Sequence, residues 1–406
     1  MASTSITTFG ANFKKSYSSK VMDDKSLKDR PLLAVLPKED GFYGESIYEY
    51  INEGNPQSRS GTFANTQTNL DNSKGTKFER TRIQDYGTVR IDRESWMASQ
   101  NDVGAFFDLK KKEMDGILAS LMDSAHFNLF RNGSGKRATV GSESNYDIVL
   151  SSQADIRFFE RGMTLKFYNG GSARTGTAKI SSINPDTYTL TTATTHWHDQ
   201  ITSLTAGDYI YIDGDVSEMI QGLDVHLPAS LTTFCGVDQT VDPLNRAGLR
   251  VTGTGMLYTD AIRKALFTAN LLKCNGQNLI VANPMVIEQI HAEILNKSYI
   301  TVPAIGSNGK ELDWGFDTVN FVSPYTNGLP LLSDPNCQTD VIWILKKEAW
   351  KVKHLGGFPH VSVPFADNPV YNADEFEMRA SYFANLWCNH YRPQIRLTVT
   401  APPINW

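Results

Sequence analysis

One long stretch with a helical repeat constrains this chain more than any other part of its sequence. Between Val103 and Arg131, apolar residues recur at the spacing of a single helical face. This stripe consists of Phe107, Met114, Ile117, Leu118, Leu121, Met122, Ala125 and Leu129. Asn101 or Asp102 can cap the start, and Asn132–Gly133 supplies a left-handed stop. The pattern predicts a helix roughly 40 Å long, about three times the usual length.

Such a helix is either an ordinary core helix or a central rod to which the other parts of the fold are attached. We expect its buried core face to pack against a sheet made by residues 341–390. The residues predicted to form that face are Ile117, Leu118, Leu121 and Met122. Charged residues at 110–113 should keep the opposite side in water. The segments that flank the helix decide between the two interpretations.

Composition limits the function classes that fit this chain. Its 406 residues exceed what one compact core holds, so two or three modules are expected. A net charge of −5 argues against a dedicated nucleic-acid binder, which needs clustered Lys and Arg. The four cysteines lie far apart, which favours free thiols. With no long apolar run and no signal core, we expect a soluble, cytosol-made protein without a membrane partner.

Residues 1–30 form a polar N-terminal arm. Six basic residues accompany three acidic ones, and few apolar groups are available to anchor the segment. Taken alone, this composition is typical of a disordered tail. The alternative is an arm that is anchored on a neighbouring subunit, because it cannot build a core of its own.

Residues 31–95 contain two strand-like runs, Gly41–Ile51 and Lys77–Ile91. Charges fall on both faces of the second run, whereas a half-buried strand is apolar on one face. An isolated two-stranded ribbon is barely stable. We therefore expect a hairpin that projects and is held by other subunits; the alternative is an edge hairpin lying on its own domain. The candidate inter-subunit contacts are Phe42, Tyr43, Tyr48, Tyr50, Arg80, Arg82, Arg90, Asp92 and Arg93.

The rest of the chain divides into modules of different composition, which together indicate an α+β fold. Residues 96–136 carry the long helix, and residues 137–216 hold short β-runs with frequent turn signals, typical of a small barrel or sandwich. Residues 217–340 alternate helices and strands, as in an α/β sheet. Residues 341–406 return as strands, including a long extended run from Glu375 to Trp387.

Few residue clusters in the sequence could form a metal-binding or catalytic site. His196 and His198, if on a strand, would point the same way and could share a metal with Asp199, although a solvated loop fits better. Asp213–Asp215 lacks the full calcium-loop pattern. Cys235 lies near His226 in the sequence, but the surrounding residues do not supply a group that would orient the histidine as a base, so Cys235 is not expected to be a nucleophile. No nucleotide, hydrolase or metalloprotease motif occurs. We predict no catalytic, cofactor-binding or metal site, and no enzyme.

The order of these parts resembles a known family. A polar arm, a ribbon, a long helix, a β-module, an α/β module and closing strands resemble the major capsid proteins of tailed bacteriophages, the Hong Kong 97 type. Residues Ile220–Leu223 and Phe234–Asp238 look like the start of that family's axial domain. Residues Glu375–Pro393 resemble its long peripheral strand pair. The 137–216 module departs from the minimal fold and is expected to be an insertion.

The resemblance implies a structural function: a major capsid protein that self-assembles into the icosahedral head around double-stranded DNA. In that family the ribbon is the extended loop and the long helix is the spine. The implied partners are copies of itself in hexamers and pentamers, a portal protein at one vertex, a cement protein and packaged DNA contacted without sequence specificity. The arm is too short for a fused scaffolding domain, so a separate scaffolding protein is expected. The expected location is the virion, after assembly in the host bacterial cytoplasm.

Two alternatives remain open from the sequence. An encapsulin-like nanocompartment shares the fold and encloses proteins instead of DNA. A metal-dependent enzyme or glycan-binding β-protein built around residues 137–216 is the alternative without a shell. Particle size separates these classes, because only the first two form large closed shells.

Overall fold

The structure is a computed structural model that describes residues 30–92, 94, 103–193, 195–297, 320–323, 326–361, 368–369 and 374–402. Most of the predicted N-terminal arm lies outside the described residues, as do the predicted helix caps Asn101 and Asp102 and the contact candidate Arg93.

The first third of the chain contains a hairpin and the long helix. Its elements are α1 (Pro31–Val35), β1 (Lys38–Asp40), β2 (Ser46–Gly54), α2 (Phe63–Thr68), β3 (Lys74–Thr81), β4 (Ile83–Asp92) and α3 (Val103–Leu129). Next comes a β-rich region with β5 (Ala138–Ser144), β6 (Asp147–Leu150), a 3-10 turn (Gln153–Phe158), β7 (Thr164–Asn169), β8 (Ser172–Ala173), β9 (Ala178–Lys179), β10 (Ser182–Asn184), β11 (Thr189–Thr191), α4 (Trp197–Gln200) and β12 (Tyr209–Ile212).

The remaining elements alternate helices and strands and then end in strands. They are α5 (Leu223–His226), β13 (Thr233–Phe234), β14 (Val237–Asp238), α6 (Pro243–Ala247), β15 (Leu249–Thr252), α7 (Tyr258–Leu271), β16 (Leu279–Ala282), α8 (Pro284–Lys297), β17 (Asn320–Ser323), β18 (Thr326–Ser333), β19 (Val341–Leu345), a 3-10 turn (Lys347–Ala349), β20 (Trp350–His354), β21 (His360–Val361), β22 (Asn368–Pro369), β23 (Glu375–Cys388) and β24 (Ile395–Thr398).

The long helix α3 packs against a sheet built around β23. Strand β4 pairs antiparallel with β23 over ten residues, and β20 pairs with the other end of β23. In α3, Leu121 and Met122 are buried, and Ile117 and Leu118 are half-buried against the same core. Gly87 of β4 leaves room for the helix, because a Cβ there would lie 2.7 Å from Ile117 Cγ2.

The predicted second ribbon strand, Lys77–Ile91, is two strands in the structure. It divides at Arg82: β3 pairs with β2, whereas β4 turns away and joins β23. The hairpin therefore contains only β2 and β3. Strand β4 belongs to the body of the subunit, which corrects the assignment of residues 83–92 to a projecting ribbon.

Strands β5 to β12 form a closed ring of antiparallel pairs. The pairing runs from β5 to β6 and then to β11 and β10, while β9, β7 and β12 lead back to β5. Strands β9 and β10 are parts of one extended stretch, since Ile180 N donates to Met163 O and Ser181 N donates to Thr191 O between them. The ring encloses large apolar side chains such as Phe167 and Trp197.

A third sheet has the order β15-β24-β19-β16-β18-β17. Helices α7 and α8 pack together, and the inward residues of both helices share one apolar cluster with the sheet. Parallel pairs such as β16 with β18 and antiparallel pairs such as β16 with β19 occur side by side. Strands β19 and β24, which the sequence assigned to residues 341–406, thus lie in the middle of this α/β sheet.

Candidate functional site

The hairpin β2–β3 has one face against the rest of its own subunit. Ile51 and Phe78 are buried in the main apolar core, and the ring of Phe78 stacks on Tyr391 at a centroid distance of 5.5 Å. The expectation that this hairpin is held only by neighbouring subunits is therefore wrong for its base, where the alternative of a hairpin lying on its own domain applies.

Arg80 fixes the base of the hairpin from within the core. Its side chain is only 2% exposed, because Arg80 points to the same side of β3 as Phe78. The guanidinium donates to Leu386 O at 3.0 Å, to Tyr391 Oη at 3.2 Å and to His226 Nδ1 at 3.1 Å. Arg80 was predicted as an inter-subunit contact, and its burial corrects that prediction.

The imidazole of His226 is the neutral partner of this buried cation. Burial lowers the pKa of His226 well below 6.5, and the nearby charge of Arg80 lowers it further. A neutral ring leaves the Nδ1 lone pair free to accept from Arg80 and from Tyr391 Oη, the latter at 2.9 Å. The cation thus has hydrogen-bond acceptors without a carboxylate in direct contact.

A second anchor joins the hairpin to α6. The guanidinium of Arg246 donates two hydrogen bonds to the carboxylate of Glu53, at 2.5 and 2.8 Å. It also donates to Thr76 Oγ1 at 2.8 Å. These hydrogen bonds from Arg246 to Glu53 raise the pKa of Arg246. Asp242 caps α6 by accepting from Asn245 N, which positions Arg246. Both strands are therefore held on the subunit as far as Glu53 and Thr76.

The opposite face of the hairpin points to solvent. Tyr48 donates to Glu79 Oε1 at 2.6 Å, and the ammonium of Lys77 lies 3.6 Å from the centre of the Tyr48 ring. Tyr50 is 62% exposed, and its ring covers Gly75, where a Cβ would lie 2.1 Å from the ring. This outer face, defined by Tyr48, Tyr50, Lys77 and Glu79, is an ordered aromatic surface.

Beyond these anchors lies the hairpin tip, residues 55–73. It carries the short helix α2, which buries none of its side chains. Phe63 and Leu70 are each 77% exposed, the highest exposure among the large apolar side chains of the described part of the chain. Exposed apolar groups at the end of a structured arm favour contact with another surface.

The other predicted contact residues lie in different environments. Tyr43 is exposed, but Phe42 is fully buried, and its carbonyl accepts from Arg82 Nη1 at 2.7 Å. Burial rules out Phe42 as a surface contact and corrects that prediction. Arg90 pairs with Glu377 at 2.9 Å on the surface, and Asp92 ends β4 opposite Glu375.

The residues considered as metal ligands or as a nucleophile are not arranged to form a metal or catalytic site. His196 is the N-cap residue of α4, so His196 and His198 do not alternate on a strand. Among the residues that the structure describes, no group of three or more His, Cys, Asp or Glu side chains could hold a metal ion. Burial raises the pKa of the Cys235 thiol, which disfavours the thiolate. No helix in the described ranges is long and apolar enough to cross a membrane.

Comparison with known proteins finds similarity only at the level of three-dimensional structure. No family model matches the chain, and no curated protein matches it. A solved structure of the cyanophage A-1(L) capsid asymmetric unit is 10% identical, covers 89% of each chain and gives a TM-score of 0.53.

The chain has the fold of the phage capsid proteins. The resemblance to the Hong Kong 97 type is thus confirmed for the fold. The capsid of an empty GTA particle (9% identity, 99% and 100% coverage, TM-score 0.45) and the holo-SrpI encapsulin complex from Synechococcus elongatus PCC 7942 (9% identity, 100% and 99% coverage, TM-score 0.45) also match.

Within this capsid fold, the two anchors of the hairpin are the features that sequence reasoning missed. The sequence did contain an indication of the Arg80 anchor. Phe78 and Arg80 lie on the same side of one strand, and the apolar Phe78 indicates that this side is buried. No local pattern pointed to the pairing of Glu53 with Arg246, since those residues lie far apart in the chain.

Proposed function

We propose that this chain is the repeating subunit of a closed protein shell, the major capsid protein of a tailed bacteriophage. The observation that carries the proposal is the similarity of fold to a phage capsid protein over 89% of both chains. In this proposal α3 is the spine of the peripheral domain, the hairpin is the extended loop, and residues 137–216 are an inserted barrel.

The surface of the subunit supports assembly through many contacts. A shell built from one chain needs extensive interfaces that repeat around closed symmetry. The proposed contacts are Tyr43, Tyr48, Tyr50, Arg82, Arg90 and Asp92, joined by Phe63 and Leu70 of the hairpin tip. Exposed ion pairs contribute under about 1 kcal/mol each, so the aromatic and apolar groups provide most of the affinity.

The finer parts of the proposal follow the capsid family. The shell is an icosahedral head of hexamers and pentamers with a portal at one vertex, built with a separate scaffolding protein in the host bacterial cytoplasm. It encloses double-stranded DNA. The net charge of −5 suits this role, because a strongly basic wall would bind DNA phosphates tightly.

The test is to express the full chain, separate the lysate by sedimentation and image the fast fraction by negative-stain microscopy. Closed shells of uniform diameter support the proposal. A small monomer or dimer contradicts it if particles isolated from the natural source also lack this chain. Particles from the natural source are then treated with nuclease and opened. Protected double-stranded DNA supports a phage head, whereas enclosed protein cargo supports an encapsulin-like compartment.

A further inference from the structure

Three segments of the chain meet at one end of the α/β sheet. They are residues 272–278 after α7, residues 345–348 at the end of β19 and residues 389–394 before β24. The side chain of Arg392 donates to Leu272 O at 3.3 Å. In the backbone, Asn278 N donates to Leu345 O at 2.9 Å. Segments that are distant in the sequence therefore form one continuous surface.

Two buried glutamines fix the backbone beneath this surface. The side-chain amide of Gln394 accepts from Lys346 N at 3.0 Å and donates to His390 O at 2.9 Å. The side-chain amide of Gln277 donates to Pro393 O at 2.9 Å. Both glutamines are buried, so they hold the three segments together from the inside. The surface is thus preorganised, and binding a partner requires no folding of these segments.

The side chains on this surface are mainly basic. The three segments carry Lys273, Lys346, Lys347, His390 and Arg392. Their only acidic residue is Glu348, whose carboxylate accepts from Asn278 Nδ2 at 2.6 and 2.7 Å. None of the three lysines or Arg392 forms an ion pair with a described residue. On a chain of net charge −5, this surface is a local excess of positive charge.

Three of these basic groups lie within electrostatic reach of one another. Burial lowers the pKa of His390, and the charges of Lys346 and Arg392 lower it further. The Nε atom of Arg392 is buried without a hydrogen-bond partner. Lys346 extends over Gly276, where an added Cβ would lie 3.8 Å from the ammonium nitrogen. An anion bound among these groups would offset their mutual repulsion.

We propose that this basic surface contacts the phosphates of double-stranded DNA, an inference that rests on the proposed function. Phosphate oxygens accept hydrogen bonds from Lys and Arg, and contacts to backbone phosphates require no particular base sequence. The cations are spread over three segments, so an extended polyanion can contact several of them at once. The contact of one subunit is weak, and it repeats with every copy in the shell. The alternative partner is an acidic protein segment.

The test is the fluorescence anisotropy of a labelled DNA duplex with free full-length subunits at several NaCl concentrations. Binding should weaken as salt rises, because each phosphate contact releases counterions. Lys346→Gln combined with Lys347→Gln should reduce the salt slope of the binding constant by about 1 for each lysine. The matched control, Arg161→Gln with Lys179→Gln, removes the same charge from exposed positions of the strand ring and should keep the wild-type slope. Equal slopes for the two variants overturn the proposal, as does a wild type that fails to bind at about 20 mM NaCl.

Two further measurements identify the partner. Polyglutamate of the same total charge should compete for the surface less well than unlabelled duplex; better competition would assign the surface to an acidic protein and overturn the DNA contact. A thiol is introduced by Asn275→Cys, at an exposed position, in a Cys235→Ser background because the other cysteines are buried. A maleimide on a large polymer should modify this thiol in free subunits but not in closed shells. Modification in closed shells would place the surface outside, away from enclosed DNA, and overturn this inference while the proposed shell still stands.

Discussion

Arg80 and His226 lie 146 positions apart in the chain, yet the guanidinium of one donates to the imidazole of the other in the fully buried core. This contact joins the base of the hairpin to the helix α5 at the start of the α/β region. In the proposed shell, this anchoring would hold the hairpin firmly at its base, while its tip makes contacts further out.

We predict that Arg80→Met detaches the base of the hairpin. The substitution keeps the aliphatic bulk but removes the guanidinium hydrogen bonds to Leu386 O, Tyr391 Oη and His226 Nδ1. Each group that is left unpaired costs about 1–3 kcal/mol. Urea unfolding of free subunits should show this loss, with faster amide exchange in β2 and β3. The control is Arg82→Met, since Arg82 is half-buried, and its effect should be clearly smaller. Equal losses for both variants would contradict the anchoring role.

Stability should depend on pH through His226. The folded subunit keeps this imidazole neutral, because its pKa lies well below 6.5. The unfolded chain binds a proton there below about pH 6.5, so the free energy of unfolding falls as the pH decreases through that value. The slope from this group is at most about 1.4 kcal/mol per pH unit.

The measurement is urea unfolding at about pH 5, 6 and 7.5, with His226→Gln as the comparison. Gln lacks a titrating group but can accept from Arg80, so the variant should lose less stability than the wild type between the higher and the lower pH. Parallel pH profiles for the two proteins would mean that His226 does not titrate on unfolding.

The sequence predicts those features that depend on local periodicity. The stripe with Leu121 and Met122 indicates α3 and its buried side, because the helical repeat is visible within one segment. Frequent turn signals likewise indicate the short strands of residues 137–216. The order of such elements is enough to suggest the capsid fold.

Features that depend on distant partners are not predictable in the same way. Arg80 is charged and is therefore expected on the surface. Its burial is made favourable by Leu386 O, Tyr391 and His226, which all lie far along the chain. Phe42 resembles its exposed neighbour Tyr43 in sequence but is fully buried. The division of one strand-like run at Arg82 follows from the pairing of β4 with β23, which no local pattern encodes.

Gly222 should tolerate no side chain. It lies in the stretch Ile220–Leu223 that carries part of the family resemblance, and a Cβ there would come within 2.2 Å of Asn128 O and 2.3 Å of Leu129 O. Backbone atoms at the end of α3 cannot move aside easily. We therefore expect Gly222→Ala to lower the free energy of unfolding by more than about 2 kcal/mol or to prevent soluble expression.

The matched control for this substitution is Gly116→Ala in α3. Gly116 is exposed, and nothing lies within 4 Å of an added Cβ. In a helix interior such a change should stabilise the protein by about 0.5–1 kcal/mol. Thermal unfolding of both variants gives the comparison, and a Gly222→Ala protein as stable as Gly116→Ala would show that the end of α3 can shift.

The last prediction concerns how the hairpin acts in assembly, and it rests on the proposed shell. The anchors at Arg80 and Arg246 hold β2 and β3 on their own subunit, whereas the tip exposes Phe63 and Leu70. Amide exchange should therefore be slow in β2 and β3 of free subunits and fast in residues 55–73. In assembled particles the tip should become protected, because neighbouring copies cover it.

Substitution separates this contact role from folding. Phe63→Ser combined with Leu70→Ser removes apolar groups that touch solvent in the free subunit, so its unfolding free energy should change by under about 0.5 kcal/mol. Particle yield in sedimentation should nevertheless fall at least tenfold, since each tip contact repeats around the shell. The control is Tyr146→Ser, an exposed aromatic residue on the strand ring, which should leave the yield unchanged. Normal particle yield from the tip variant, or a tip that exchanges fast in particles, would show that neighbouring subunits meet through a different surface.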